Sequence, residues 1–448
     1  MFNSHRAVLA DELASWVCDA RQRTLELVSD LNDDQLMGPQ LPSVNPLLWE
    51  IGHAAWFQDH WVLQRVAHRE PLRVGLDKLY DSITIPHEIR WDLPLLSRNN
   101  VVKYICDVRD RVLELLSSNC LTDELVGFVK WSVFHEDMHT EAFTHSRQIL
   151  GYPPPQFSAA APTDQRPHPS GIESTAVDSV SNDVQVLGGT FLLGAFKDDC
   201  FVFDNEKWAH AVEVQPFRIS RTAVTQKEFA VFIDDDGYGR EELWSEVGWK
   251  WREQVRAHNP VYWRKDARGN WLRRDFDQWV PLEPHYAVVH VNWYEVQAYC
   301  RWANRRLPTE VEWECAAAGI INDRNEFSAE KRRYPWGDNV PTPDFSNLDW
   351  RHMGATHVAA LPGGDSELGC RQMIGNVWEW TSTDFQPYPG FVADFYKEYS
   401  TCGFGNCKVL RGGCWASRSR LIRNTWRNYY RPDRRDVGCG FRTCARET

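Results

Sequence analysis

Three histidines carry the first chemical signal in this chain. His135 and His139 stand four apart in Phe134-His135-Glu136-Asp137-Met138-His139. Residues i and i+4 lie one above the other on a helix, so the two rings can hold one metal ion between them. The apolar rhythm of Leu125, Val129, Val133, Phe134, Met138, Ala142, Phe143 and Leu150 predicts that helix. His53 lies in a second periodic segment, Pro46 to Phe57, with Asn45 expected as N-cap and Pro46 as first helical residue. Three neutral imidazoles from two helices make an open-faced site with room for water, substrate or oxygen. The bland alternative is a partly buried helix face with satisfied ring nitrogens. His-Glu-x-x-His also matches the zinc-protease signature, in which Glu136 would be the general base. That pattern needs a further downstream ligand, and His145, six residues after His139, leaves the face.

The elements that must position these residues follow from composition and periodicity. A chain of 448 residues predicts two domains or three, and 43% hydrophobic residues suffice for sizeable cores. A net charge of -12 argues against nucleic acid or an anionic membrane as the main partner. There is no run of 18 apolar residues and no apolar stretch at the N-terminus, so a cytoplasmic protein is expected. The 12 cysteines are mostly scattered, as in a reduced compartment. The 22 tryptophans suggest an aromatic interior and an aromatic-lined pocket for a cation.

Residues 1–152 read as a helical bundle with helices Leu9 to Leu31, Pro46 to Val66, Asn99 to Leu116 and Thr122 to Leu150. Between them, Asp77 to Arg98 lacks helical periodicity and reads as a long ordered loop. Residues 153–183 are rich in Pro and Ser and read as a linker. Residues 184–448 change texture to short alternating strands, such as Val186 to Gly194, interrupted by helices at Thr225 to Ile233 and Asn292 to Asn304. The expected fold class is α+β, a helical bundle followed by a mixed domain with much irregular structure.

The second domain resembles the formylglycine-generating-enzyme family, which has a C-type-lectin-like fold. The matching stretches are Val224-Thr225-Gln226-Lys227-Glu228-Phe229, Arg306-Leu307-Pro308-Thr309-Glu310-Val311-Glu312-Trp313-Glu314, Tyr334-Pro335-Trp336-Gly337, Gly375-Asn376-Val377-Trp378-Glu379-Trp380, Val409-Leu410-Arg411-Gly412-Gly413 and Gly440-Phe441-Arg442. That family's catalytic cysteine pair does not carry over: after Gly413 the chain reads Cys414-Trp415-Ala416-Ser417. The first domain resembles the DinB-like superfamily, a four-helix bundle with a three-histidine metal site. The fusion of the two resembles the non-haem iron sulfoxide synthases of the ergothioneine and ovothiol pathways.

That resemblance implies Fe(II) held by His53, His135 and His139, with O2 as co-substrate; three histidines alone also suit zinc. It implies small-molecule substrates: hercynine, whose imidazole C2 receives the sulfur, and a thiol, with a sulfoxide as product. It implies a pocket between the two domains and an active-site tyrosine, with Tyr396 and Tyr399 as counterparts and Tyr80 as the rival in the N-terminal loop. Asn428 matches a substrate-contacting segment. Tyr429, Trp378 and Trp415 could face a trimethylammonium group, with packing as the alternative for each.

Members that take γ-glutamylcysteine bind its carboxylates through two loop arginines and a later Asp. Here those positions hold His87, Arg90 and Tyr430, and Met138 stands where those members carry Gln. A bidentate carboxylate clamp is not reproduced by His or Tyr, so free cysteine is the expected donor. The related selenoneine synthases, which use a selenosugar, share a similar loop and His-Glu-Asp-Met-His stretch and remain an alternative. So do a zinc-dependent thiol transferase and a non-catalytic binding module. Cys402, Cys407, Cys439 and Cys444 have roughly metal-like spacing, with buried thiols as the competing reading.

Overall fold

The computed structural model describes residues 2–118, 121–157, 183–197, 199 and 201–446. Residues 158–182, most of the expected linker, lie outside the described residues, as do Cys120 and Cys200. The chain divides into two compact units, Met1–Ala161 and Pro162–Thr448.

The first unit contains helices α1 (Phe2–Glu26), α2 (Asp33–Met37), α3 (Leu47–Gln58), α4 (Asp77–Tyr80), α5 (Arg98–Ser117) and α6 (Asp123–Leu150). α1 and α3 each pack against α5 and α6, giving a four-helix bundle. Val101, Tyr104, Ile105, Val108 and Val112 recur at helix spacing on α5 and are all buried, which is what drives that helix into the bundle. α6 begins where the Thr122 side chain accepts from Leu125 N–H, and acidic Asp123 and Glu124 favour its positive end. It stops at Gly151, which takes the left-handed conformation (φ 66).

Three local expectations change. Pro46, not Asn45, takes the cap position of α3, which frees the Asn45 side chain for another role. The helical run does not continue as α-helix to Val66: residues Asp59–Val66 form a wider π-helical segment. The loop Asp77 to Arg98 contains the short helix α4 and a 3₁₀ turn at His87–Ile89.

In the second unit one four-stranded sheet runs in the order Asp183–Val186, Phe217–Ser220, Cys444–Ala445, Arg305–Arg306. A second has the order Asn428–Tyr430, Lys408–Arg411, Trp378–Asp384, Cys439–Gly440. The alternating run Val186 to Gly194 is not one strand. Asp183–Val186 and Gly189–Leu193 belong to different sheets, broken at Gly188, where a Cβ would sit 2.6 Å from Val214 O and 2.7 Å from Pro216. Thr225, Asn292 and Thr309 each close a capping box with the Glu three residues on, which starts the helices Gln226–Asp234, Trp293–Trp302 and Glu310–Ala318.

Four of the six motif stretches, together with Arg427, meet in a buried ionic core. Arg411 donates to Glu310 (2.8 Å) and Glu314 (2.5 Å), Arg427 to Glu310 (2.7 Å), and Arg442 to both oxygens of Glu379 (2.6 and 2.8 Å). Trp313 Nε1 also donates to Glu379, at 2.8 Å. Removing one partner would strand a buried charge, which is strongly destabilising. Gly412 (φ +96) lets the chain pass Met373 O, which a Cβ would meet at 2.5 Å.

Candidate metal centre

The structure brings the three histidines together. Ring centroids are 5.0 Å apart for His53–His135, 4.9 Å for His53–His139 and 4.6 Å for His135–His139, close to an equilateral triangle. One ligand nitrogen from each lies within 4.8 Å of the other two. α3 supplies one corner and successive turns of α6 the other two.

Each ring is placed by neighbours. His53 is 2% exposed, and its Nδ1–H donates to Tyr80 O at 2.7 Å. A carbonyl only accepts, so the proton is on Nδ1 and the Nε2 lone pair is left for a metal. Trp49, one turn earlier on α3, stacks on His53 (4.9 Å, 8°) and donates to Leu79 O at 2.6 Å. Phe57 stacks on His135 at 3.8 Å. Burial and the charges of the neighbouring rings hold His53 and His135 well below the usual histidine range. Both are therefore neutral, the form that ligates. The donor set fits one divalent metal with open positions: three imidazole nitrogens within reach of one another and no carboxylate among them.

Glu136 takes no part in the triangle. It is buried on another face of α6, where Thr24 Oγ1 donates to it at 2.7 Å and Arg21 lies at 3.3 Å. One residue on from His135 is about 100° round the helix, so the glutamate of the His-Glu-x-x-His signature is a bundle-packing ion pair. The protease-like general base is thereby excluded.

The other candidate residues sit as follows. Tyr80 is fully buried against Gly52, and its hydroxyl accepts from Leu96 N–H at 3.3 Å. Burial pushes its phenol up to about 12. Its contribution to the triangle is its backbone carbonyl. His87 turns its Nε2 to Val44 O (2.7 Å). The Arg90 guanidinium lies over Trp49 (3.9 Å) and donates to Asn45 Oδ1 (2.7 Å) and Ile85 O (3.1 Å). Met138 is half-buried beside His139.

In the second unit, Tyr396 is half-buried, and Tyr399 packs on Phe203 (4.6 Å) with its phenol pushed up by burial. Tyr429 stacks on Phe385 (4.1 Å) and donates to Tyr399 O. Asn428 Oδ1 accepts from Tyr429 N–H at 2.8 Å, and Arg434 lies 5.2 Å over Tyr430. Trp378 is fully buried against Trp426 (4.9 Å), and Trp415 is 8% exposed beside Phe276 (6.4 Å); both hold core positions. Cys439 and Cys444 are buried, Cys402 is exposed, and none of the four spaced cysteines joins a metal-binding cluster among the described residues.

The sequence reading missed Glu50, Asn45 and Trp49 around the triangle. Glu50 and Trp49 stand three and four residues before His53, hence on its helix face, a spacing that could have pointed to them.

Comparison with known proteins sets this geometry in a family. Residues 169–448 match the sulfatase-modifying factor enzyme 1-like domain family, and residues 19–142 match the DinB superfamily. A hercynine oxygenase of Mycolicibacterium thermoresistibile is 36% identical over 98% of this chain and 94% of its own length. This chain belongs to the hercynine oxygenase family. The hercynine oxygenase of Mycobacterium tuberculosis is also 36% identical, over 96% of this chain and 98% of its own. A formylglycine-generating enzyme of Streptomyces coelicolor is 31% identical over 60% of this chain. Among hercynine oxygenases and their kin, then, both expected domains and their fusion are present here. These relatives favour neither the selenosugar nor the zinc thiol-transferase alternative. No described helix is long and apolar enough to cross a membrane.

Proposed function

We propose that this chain is a hercynine oxygenase that joins the sulfur of cysteine to the imidazole C2 of hercynine and leaves the sulfur as a sulfoxide, using Fe(II) and O2. The observation that carries the reading is the near-equilateral triangle of histidines, with His53 and His135 buried and held neutral, in a chain of this family. Fe(II) held by His53, His135 and His139 would supply redox chemistry toward O2 and open positions for substrates.

The chain's own residues do the rest. Burial keeps the His53 and His135 imidazoles unprotonated, and the Tyr80 carbonyl fixes the His53 tautomer. Tyr396 serves as the phenol that supplies a proton during sulfur–carbon coupling. Tyr80 is less suited, since its hydroxyl is engaged by Leu96 N–H and buried.

The donor assignment rests on the loop. His87 is committed to Val44 O, and Arg90 to Trp49 and Asn45, so neither is set as one half of a two-arginine carboxylate fork. Tyr430 replaces the expected carboxylate-binding Asp. These features support free cysteine over γ-glutamylcysteine.

The test is an assay with anaerobically Fe(II)-loaded protein and hercynine, started with O2 and read by mass spectrometry. Cysteine, γ-glutamylcysteine and a selenosugar are offered in parallel. An O2-dependent hercynine–cysteine sulfoxide is expected. A selenium-bearing product alone, or no product from any donor, would overturn the proposal.

A further inference from the structure

Two polar atoms beside the histidine triangle have no hydrogen-bond partner although both are buried: His139 Nδ1 and Glu50 Oε2. The other oxygen of Glu50, Oε1, lies 3.7 Å from His139 Nδ1, beyond hydrogen-bond length. A buried carboxylate without full compensation is costly, and so is a buried ring N–H. Glu50 is nevertheless held in place. Asn45 Nδ2 donates to Glu50 Oε1 at 2.9 Å, and Asn45 Oδ1 in turn accepts from Arg90 Nη1 at 2.7 Å. Arg90 also covers Trp49, the ring stacked on His53. The loop arginine is thus tied to two corners of the triangle, to His139 through Asn45 and Glu50 and to His53 through Trp49.

We propose that Glu50 is the carboxylate that orients His139 for metal binding, and that Asn45 and Arg90 hold Glu50 in that position. This rests on the three-histidine reading of the site. Ligation by Nε2 leaves the ring's Nδ1 as an N–H, and Glu50 is the acceptor facing it. The carboxylate also raises the basicity of the imidazole and adds a negative charge to a site that otherwise offers only neutral ligands. His53 is oriented by a neutral carbonyl and His139 by an anion, so the two are not equivalent ligands. Glu50 is a positioning residue: it acts through His139.

The experiment is a titration of metal-free protein with Co(II), followed by the visible absorption of the bound ion, for the wild type, His139→Ala, Glu50→Gln and Asn45→Ala. Glu50→Gln keeps the shape and the Asn45 contact and removes the charge. Its Co(II) affinity should fall by about 10–100-fold with a changed absorption band. Asn45→Ala leaves the carboxylate but unties it, and should weaken binding in the same direction by less. Thermal unfolding of the metal-free proteins serves as control. If Glu50→Gln lowers that midpoint, Asn45→Ala decides: weaker Co(II) binding upholds the proposal and unchanged binding overturns it. Wild-type affinity in Glu50→Gln, with binding lost in His139→Ala, refutes the role of Glu50 while leaving the metal site standing. No Co(II) or Fe(II) bound by the wild type refutes the underlying site and this proposal with it.

Discussion

Replacing Gly52 with alanine tests how α3 and α4 jointly build the site. Gly52 precedes His53, and a Cβ there would fall 2.2 Å from Tyr80 Cε1 and 2.3 Å from Tyr80 Cζ. Tyr80 has little freedom to retreat: it is fully buried, its hydroxyl accepts from Leu96 N–H, and its carbonyl accepts from His53. Two effects oppose each other. Alanine gains about 1 kcal/mol over glycine in a helix interior. Overpacking a buried contact costs about 1–3 kcal/mol, and a clash with the middle of a held ring belongs at the upper end. The clash wins by about 1–2 kcal/mol. For a unit the size of Met1–Ala161 this lowers the unfolding midpoint by about 2–8 °C. The same displacement moves the carbonyl that fixes the His53 tautomer, so Co(II) affinity should fall by about tenfold or more. Calorimetry of the metal-free protein and a Co(II) titration measure both. A variant that is equally or more stable and binds Co(II) as the wild type does would refute the reasoning.

His139→Ala should abolish metal binding and turnover; metal analysis and the sulfoxide assay check it, and retained activity would remove His139 from the ligand set. Tyr396→Phe should lower the sulfoxide yield and divert the thiol to a shunt product seen by mass spectrometry. Tyr80→Phe should leave the product ratio unchanged and cost about 1 kcal/mol of stability through the lost acceptor for Leu96 N–H; the opposite pattern would move the catalytic role to Tyr80. Glu136→Gln should destabilise the bundle by about 3–5 kcal/mol, because Arg21 is left as an uncompensated buried charge, with turnover per folded molecule preserved. A loss of turnover without a loss of stability would restore Glu136 as a general base.

The sequence by itself determined which side chains could hold a metal and which elements would carry them. His135 and His139 are neighbours by helix geometry alone, and the apolar rhythm around them decides that a helix forms. The motif stretches of the second unit likewise pointed to its fold, through their resemblance to the formylglycine-generating-enzyme family; that Arg411, Glu310, Glu314, Glu379 and Arg442 within them pair with one another is seen only in the structure. Only the tertiary structure decided which groups surround the triangle. The carbonyl on His53 comes from Tyr80, 27 residues away, and the arginine tied to Asn45 is 45 residues away. Arg21 and Thr24 withdraw Glu136 from the chemistry across more than a hundred residues of chain, 112 in the case of Thr24. Periodicity fixes contacts three and four residues apart. Partners at these separations are fixed by how helices pack, which depends on the sum of many weak burial terms that no single spacing encodes.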